Sequence, residues 1–159
     1  MNTLSLSPMA RFAGFAPLVA RVVVGVIMFA HGLQKLLGPG PLGFGNNVLA
    51  GLGVPLPGLM GIVVTLVEVV GGFLLIIGLL SRLSALLLTI DLVVAILLVK
   101  VGVGFLSPQG GGVGAELDLA LIAGFLVVLF AGPGKLSLDH ALGLEEDHTA
   151  ERGRGRRRR

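Results

Sequence analysis

Four apolar runs, each bounded by Gly, Pro, Ser or charge, set the pattern of this chain. They cover about residues 17–37, 58–80, 83–101 and 117–132. About 20 apolar residues cross a hydrocarbon core about 30 Å thick, so each run predicts a membrane-crossing helix. The fourth is the shortest and can begin nearer Gly114. Only Ser81 and Arg82 separate the second run from the third, which forces an antiparallel hairpin. Residues 38–57, GPGPLGFGNNVLAGLGVPLP, are rich in Gly and Pro yet fairly apolar. They predict a loop holding a short interfacial or partly buried helix around residues 46–52. The connection GVGFLSPQGGGVG reads as loop, and the stretch LSLDHALGLEEDHTAE predicts a short surface helix.

Polar residues interrupt the runs in a regular way. On a wheel of about 100° per residue with Arg21 at zero, Lys35 falls near −40°, His31 near −80° and Gln34 near −140°. Gly25 and Gly32 lie beside Arg21, so a polar face adjoins a strip of small residues that suits another helix rather than lipid. In the second run Gly61, Thr65, Gly71 and Gly72 lie within about 60° of Glu68. In the third, Ser84 and Ala95 share the side of Asp91, while Lys100 falls opposite and is expected to snorkel outward.

Glu68 and Asp91 fall near mid-run on neighbouring antiparallel helices. An ionised group at that depth costs about 2.5–3.5 kcal/mol on insertion scales. Partners, protonation or water must offset it, and Arg21 and His31 are candidate partners, with an Arg21–Glu68 or Arg21–Asp91 pair in reach of the long arginine. Lys35 and Gln34, nearer the end of the run, also suit interface anchoring. Two roles remain open for Arg21, Glu68 and Asp91: locking helices in register, or binding a ligand and moving protons. Glu116 and Asp118 suit the N-terminus of the fourth helix.

Composition narrows the chemistry. Of 159 residues, 54% are hydrophobic and 13% charged, and mean hydropathy is +0.97. Soluble domains carry about 25% charged residues, so this is the balance of an integral membrane protein. Cysteine is absent, which removes disulfides, thiolate nucleophiles and Cys-ligated zinc or iron–sulfur centres. Trp and Tyr are absent too, so Phe, Lys and Arg are left to anchor the helix ends. His31 is the single histidine within a run, which excludes intramembrane bis-His haem in one chain. His140 and His148 lack a usual metal-ligand spacing, and no phosphate loop or Ser-His-Asp spacing is present. No metal site is expected.

The net charge of +3 belongs to one tail, because six arginines crowd into residues 152–159. They are expected to meet anionic lipid headgroups at the membrane surface. No aromatic residues are interleaved with them, so nucleic acid is not expected as a partner. Arg11, Arg82, Lys135 and the distal arginines share one side of a four-span arrangement, which places both termini in the cytoplasm. Arg21 and His31 interrupt the first run and no small-residue cleavage site follows, so this helix is expected to be retained. The expected fold is an all-α, integral membrane four-helix bundle. Residues 1–15 form an N-terminal tail, 16–135 the membrane domain and 136–159 a polar, Arg-rich cytoplasmic tail.

The first run, with Arg21, Gly25, Phe29, His31, Gly32, Gln34, Lys35 and Gly38, resembles the DoxX family of small membrane proteins. EVVGGFLLIIGLLSRLSA from Glu68 and ELDLALIAGFLVVLFAGPGKLSLD from Glu116 resemble that family's second span and its last span and exit. The likeness covers about residues 16–140 and excludes the arginine-rich end. It implies a four-span, multi-pass protein of the cell's inner membrane, tied to thiosulfate:quinone oxidoreductase and to membrane redox complexes. The family offers motif positions, not agreed catalytic residues.

The residues and the resemblance meet at one expectation. The chain is a membrane subunit or anchor of an oxidoreductase complex, at most a subunit of a quinone-linked enzyme, docking a soluble oxidoreductase. In its stronger form quinone sits against Arg21, His31, Lys35, Glu68 and Asp91. A small-solute or proton pathway, which would need a homo-oligomer, and a ligand-free scaffold are the alternatives.

Overall fold

In the computed structural model, which describes residues 12–101, 104–106 and 114–144, the chain is helical and no strand occurs among those residues. The long helices are α1 (Ala16–Leu37), α3 (Pro57–Ile77), α4 (Ser81–Ala95) and α5 (Glu116–Ala131). A short α2 (Gly40–Phe44) and a final turn α6 (Leu138–Ala141) complete the set. Residues 12–37, 57–77 and 81–100 form three helices long and apolar enough to cross a membrane. The fourth, α5, has 16 residues. The long helices pack in a ring in the order α1, α3, α4, α5, with α1 against α3 the most extensive contact.

Local chemistry explains the ends. Pro17 and Pro57 lie in the first turns of α1 and α3, where a missing N–H costs nothing. Gly78, in the left-handed region at φ 74°, closes α3. Glu116 and Asp118 sit in the first turn of α5, as expected for carboxylates at a helix N-terminus. The stretch after α1 holds α2, then a wide π-helical turn (Gly45–Leu49) and a 3-10 turn (Ala50–Leu52). A second wide turn, Ile96–Lys100, continues α4.

The core forms where the small faces meet. Val24 and Met28 of α1, Leu75 of α3, Ala85, Leu88 and Leu92 of α4, and Leu121, Phe125 and Val128 of α5 are its buried members. The predicted face of α3 is the buried one, with Gly61, Thr65, Glu68, Gly71 and Gly72 all inside. A Cβ on Gly72 would lie 2.6 Å from the backbone N of Phe29, and one on Gly32 would lie 2.7 Å from that of Val69. Only glycine allows α1 and α3 to approach so closely, the packing mode of membrane helices.

That register corrects the expected pairing of Arg21. Gly25 faces Gly72 and Gly32 faces Glu68 and Val69 across antiparallel helices. Arg21, one turn before Gly25, therefore meets the last turn of α3, well away from Glu68. It is 2% exposed and donates to the carbonyl oxygens of Leu75 (3.0 Å), Ile76 (2.9 Å) and Leu136. Gly78 makes room for its guanidinium: a Cβ there would lie 2.7 Å from the Arg21 Cζ.

The chain after α5 folds back onto this end. Asp139 is buried and accepts hydrogen bonds from the backbone N–H groups of Leu80 (2.7 Å) and Ser81 (2.9 Å). Its own N–H donates to Gly78 O at 2.8 Å. The expected short helix is present as α6, but Asp139 lies in the interior rather than on a surface. Arg11, His148 and the six terminal arginines with their expected lipid contacts lie outside the described residues.

Candidate functional site

At the other end of the bundle the helices do not close. Between α1, α3, α4 and the segment after α1 lies a cavity of about 320 Å³. Its walls are apolar, from Phe44, Val48, Leu49, Val64, Val94 and Leu98, and its polar groups are Lys35, Glu68 and Asp91. Volumes of about 300–1,000 Å³ with apolar walls and a few convergent polar groups are typical of small-molecule sites.

Each polar group has a definite origin. Glu68 lies midway along the glycine-lined face of α3 and is 4% exposed. Lys35, in the last turn of α1, grips both its oxygens, with Nζ 2.6 Å from Oε1 and 2.5 Å from Oε2. The same ammonium lies 5.2 Å from the centre of the Phe44 ring, a cation–π distance. Asp91, half-buried on α4, lines the same cavity within electrostatic reach of Glu68, Lys35 and Asp118.

The two wide turns shape the opening. Val48 belongs to one, and Leu98 and Val99 to the other. With Val94 they line the cavity while remaining 40–47% exposed. The rim of the cavity is therefore both exposed and apolar. The segment after α1 is pressed onto α3 by two glycines: a Cβ on Gly61 would lie 2.7 Å from Gly45 Cα. π-Helical turns inside α-helices occur often at functional sites.

Of the five residues singled out from the sequence, Lys35, Glu68 and Asp91 come together here. Arg21 sits at the opposite end. His31 is exposed on α1, its Nδ1 2.8 Å from Ile27 O, and does not line the cavity. Gln34 is exposed as well. The reason is angular: the buried residues of α1, namely Arg21, Val24, Gly25, Met28 and Gly32, span a narrow arc about Arg21. Lys35 falls inside that arc, His31 at its margin and Gln34 beyond it. Lys100 also departs from expectation, since it contacts Asp118 on α5 at 3.5 Å instead of pointing away. The π-helical turn winds fewer degrees per residue than the wheel assumes and brings it round. Phe44, Leu49 and Leu52 escaped sequence reading, because nothing local distinguishes a wall residue in a Gly-rich apolar loop.

Comparison with known proteins bears on what such a site belongs to. An uncharacterised membrane protein of Mycobacterium tuberculosis is 36% identical over 77% of this chain and 78% of its own length. A Bacillus subtilis protein named "Putative oxidoreductase CatD" is 32% identical over 77% of this chain and 83% of its own. The inner membrane protein YphA of Escherichia coli is 29% identical over 87% of this chain and 99% of its own. No solved structure matches. The DoxX family model matches residues 16–101, which include Lys35, Glu68, Asp91 and both wide turns. With its apolar helices and this match, the chain is a multi-pass integral membrane protein that belongs to the DoxX family.

Proposed function

We propose that this protein is the membrane subunit of a redox complex and that its cavity holds the head group of a quinone. The carrying observation is the pairing of an exposed, apolar rim with Lys35, Glu68 and Asp91 inside; in a membrane protein such a rim suits entry from the bilayer. A ligand that arrives from the bilayer and needs polar groups at its head fits both features. The Lys35 ammonium donates to a quinone carbonyl oxygen, Glu68 holds that ammonium in place, and Asp91 delivers the two protons in turn, taking each back up from water. Reduction to the quinol takes two electrons and two protons. The electrons come from a soluble oxidoreductase docked at the membrane. The name of the Bacillus subtilis relative agrees with a redox setting. We also propose four spans in the cell's inner membrane, with α5 as the fourth and both termini cytoplasmic, a topology that reporter fusions at the C-terminus would read directly.

Protein purified in mild detergent should carry quinone detectable by mass spectrometry of its lipid extract. Glu68→Gln and Lys35→Met should reduce that quinone about tenfold, the loss of one charge-assisted hydrogen bond. His31→Ala should retain it. Absence of quinone in the wild-type extract, with no binding of an added short-chain benzoquinone, would overturn the reading. Proton or solute flux in proteoliposomes, abolished by Asp91→Asn, would establish the transport alternative instead.

A further inference from the structure

The polar groups of the cavity are few, and part of their bonding capacity is already committed. Both Glu68 oxygens accept from Lys35 Nζ, at 2.6 and 2.5 Å. An ammonium has three N–H bonds, so one remains for a ligand. Asp91 is the other polar group of the lining. A quinone has two carbonyl oxygens, and these two groups are enough to meet them. Among the described residues of the lining, every other side chain is Val, Leu, Ala, Met or Phe, and none of these donates to a further ring oxygen.

Phe44 is the one aromatic side chain among them. It is half-buried, ends α2 and is followed by Gly45, which opens the wide turn. Gly45 is wedged against α3: a Cβ there would lie 2.9 Å from Gly58 Cα, and one on Gly61 would lie 2.7 Å from Gly45 N. The Phe44 ring is thus set in place by a backbone contact at the next residue. Its centre lies 5.2 Å from Lys35 Nζ. A ligand ring whose carbonyl oxygen accepts from that ammonium at about 2.8 Å comes into stacking range of Phe44, since aromatic centroids pair at about 4.5–7 Å.

We infer that the cavity selects a naphthoquinone, whose head is a fused pair of rings, over a benzoquinone carrying methoxy groups, and that Phe44 is the stacking surface for the second ring. The inference rests on the quinone reading above and names the ligand within it. A fused ring adds apolar area and a π-face and asks for no donor. Methoxy oxygens lose their bonds to water on entry and meet walls that offer no replacement. The isoprenoid tail is common to both classes and passes the exposed apolar rim at Val48, Val94 and Leu98, so it does not discriminate between them.

The test uses the full chain in lipid nanodiscs and measures binding of a methylnaphthoquinone and a dimethoxymethylbenzoquinone, each with a single isoprenoid unit. Uptake by protein-free discs is subtracted. The naphthoquinone should bind about tenfold more tightly. A trimethylbenzoquinone with the same tail, which lacks the ether oxygens, should fall between the two. Phe44→Leu should weaken the naphthoquinone about fivefold, the worth of one aromatic pair, and change the dimethoxybenzoquinone by less than about twofold. Phe44→Tyr should keep the preference. Phe44→Met retains bulk without the ring and serves if Phe44→Leu does not fold. Equal weakening of both probes would make Phe44 a wall residue only and overturn the inference. Equal or tighter binding of the dimethoxybenzoquinone by the wild type also overturns it, and leaves the quinone reading standing. Binding of none of the three probes overturns the quinone reading itself.

Discussion

The two ends of the bundle use the same kinds of residue for opposite purposes. At one end Arg21 and Asp139 are buried and engaged with backbone: three carbonyl oxygens for the guanidinium, two N–H groups for the carboxylate. At the other, Lys35, Glu68 and Asp91 surround open space. A buried charge held by backbone groups acts as a structural clamp. A charge pair set against a cavity keeps capacity for something else, at a cost in desolvation that packing alone does not require. Burial and charge therefore do not separate the two roles; what each charge touches does.

Breaking the closed end should have the largest effect. Arg21→Ala removes the guanidinium donor from the carbonyl oxygens of Leu75, Ile76 and Leu136 and should destabilise the protein by about 3–5 kcal/mol, read from unfolding in mixed micelles. Gly72→Leu should follow, at about 1–3 kcal/mol, because the side chain collides with the Phe29 backbone. Asp139→Ala removes the cap of α4 and should cost about 1–2 kcal/mol, with quinone content unchanged. The open end should respond the other way. The double variant Lys35→Met, Glu68→Gln should leave stability within about 1 kcal/mol of wild type while abolishing quinone retention. If it instead unfolds the protein, the contrast between the ends fails. His31→Ala should change stability by less than about 0.5 kcal/mol and leave quinone bound.

Much of this contrast was legible in the sequence, and the illegible part has a physical reason. Helix positions follow from apolar runs, so the observed bounds of α1, α3 and α5 lie within about three residues of those expected. The face of α3 followed from periodicity, because Gly61, Thr65, Glu68 and Gly72 repeat at helical spacing. A wheel gives direction around a helix and says nothing of depth, and for that reason it allows Arg21 a pairing with Glu68 or Asp91. The glycine-to-glycine contacts that fix depth are visible only once two helices meet. The wheel also assumes regular winding, which the turn at Ile96–Lys100 breaks. Asp139 had no local signal, since the helix it caps begins 58 residues earlier in the chain.

That long-range cap bears on how the protein is made. Leu80 adopts a left-handed conformation (φ 49°), unfavourable for a non-glycine residue by about 1–2 kcal/mol, just where α4 begins without a cap of its own. During synthesis α1, α3 and α4 leave the ribosome before Leu136 and Asp139 exist. Until those residues emerge, the Arg21 guanidinium lacks one of its three acceptors and α4 lacks its anchor. Closure of the bundle is thus tied to arrival of the segment that follows α5, and nascent chains halted before Asp139 should insert yet stay loose and protease-sensitive.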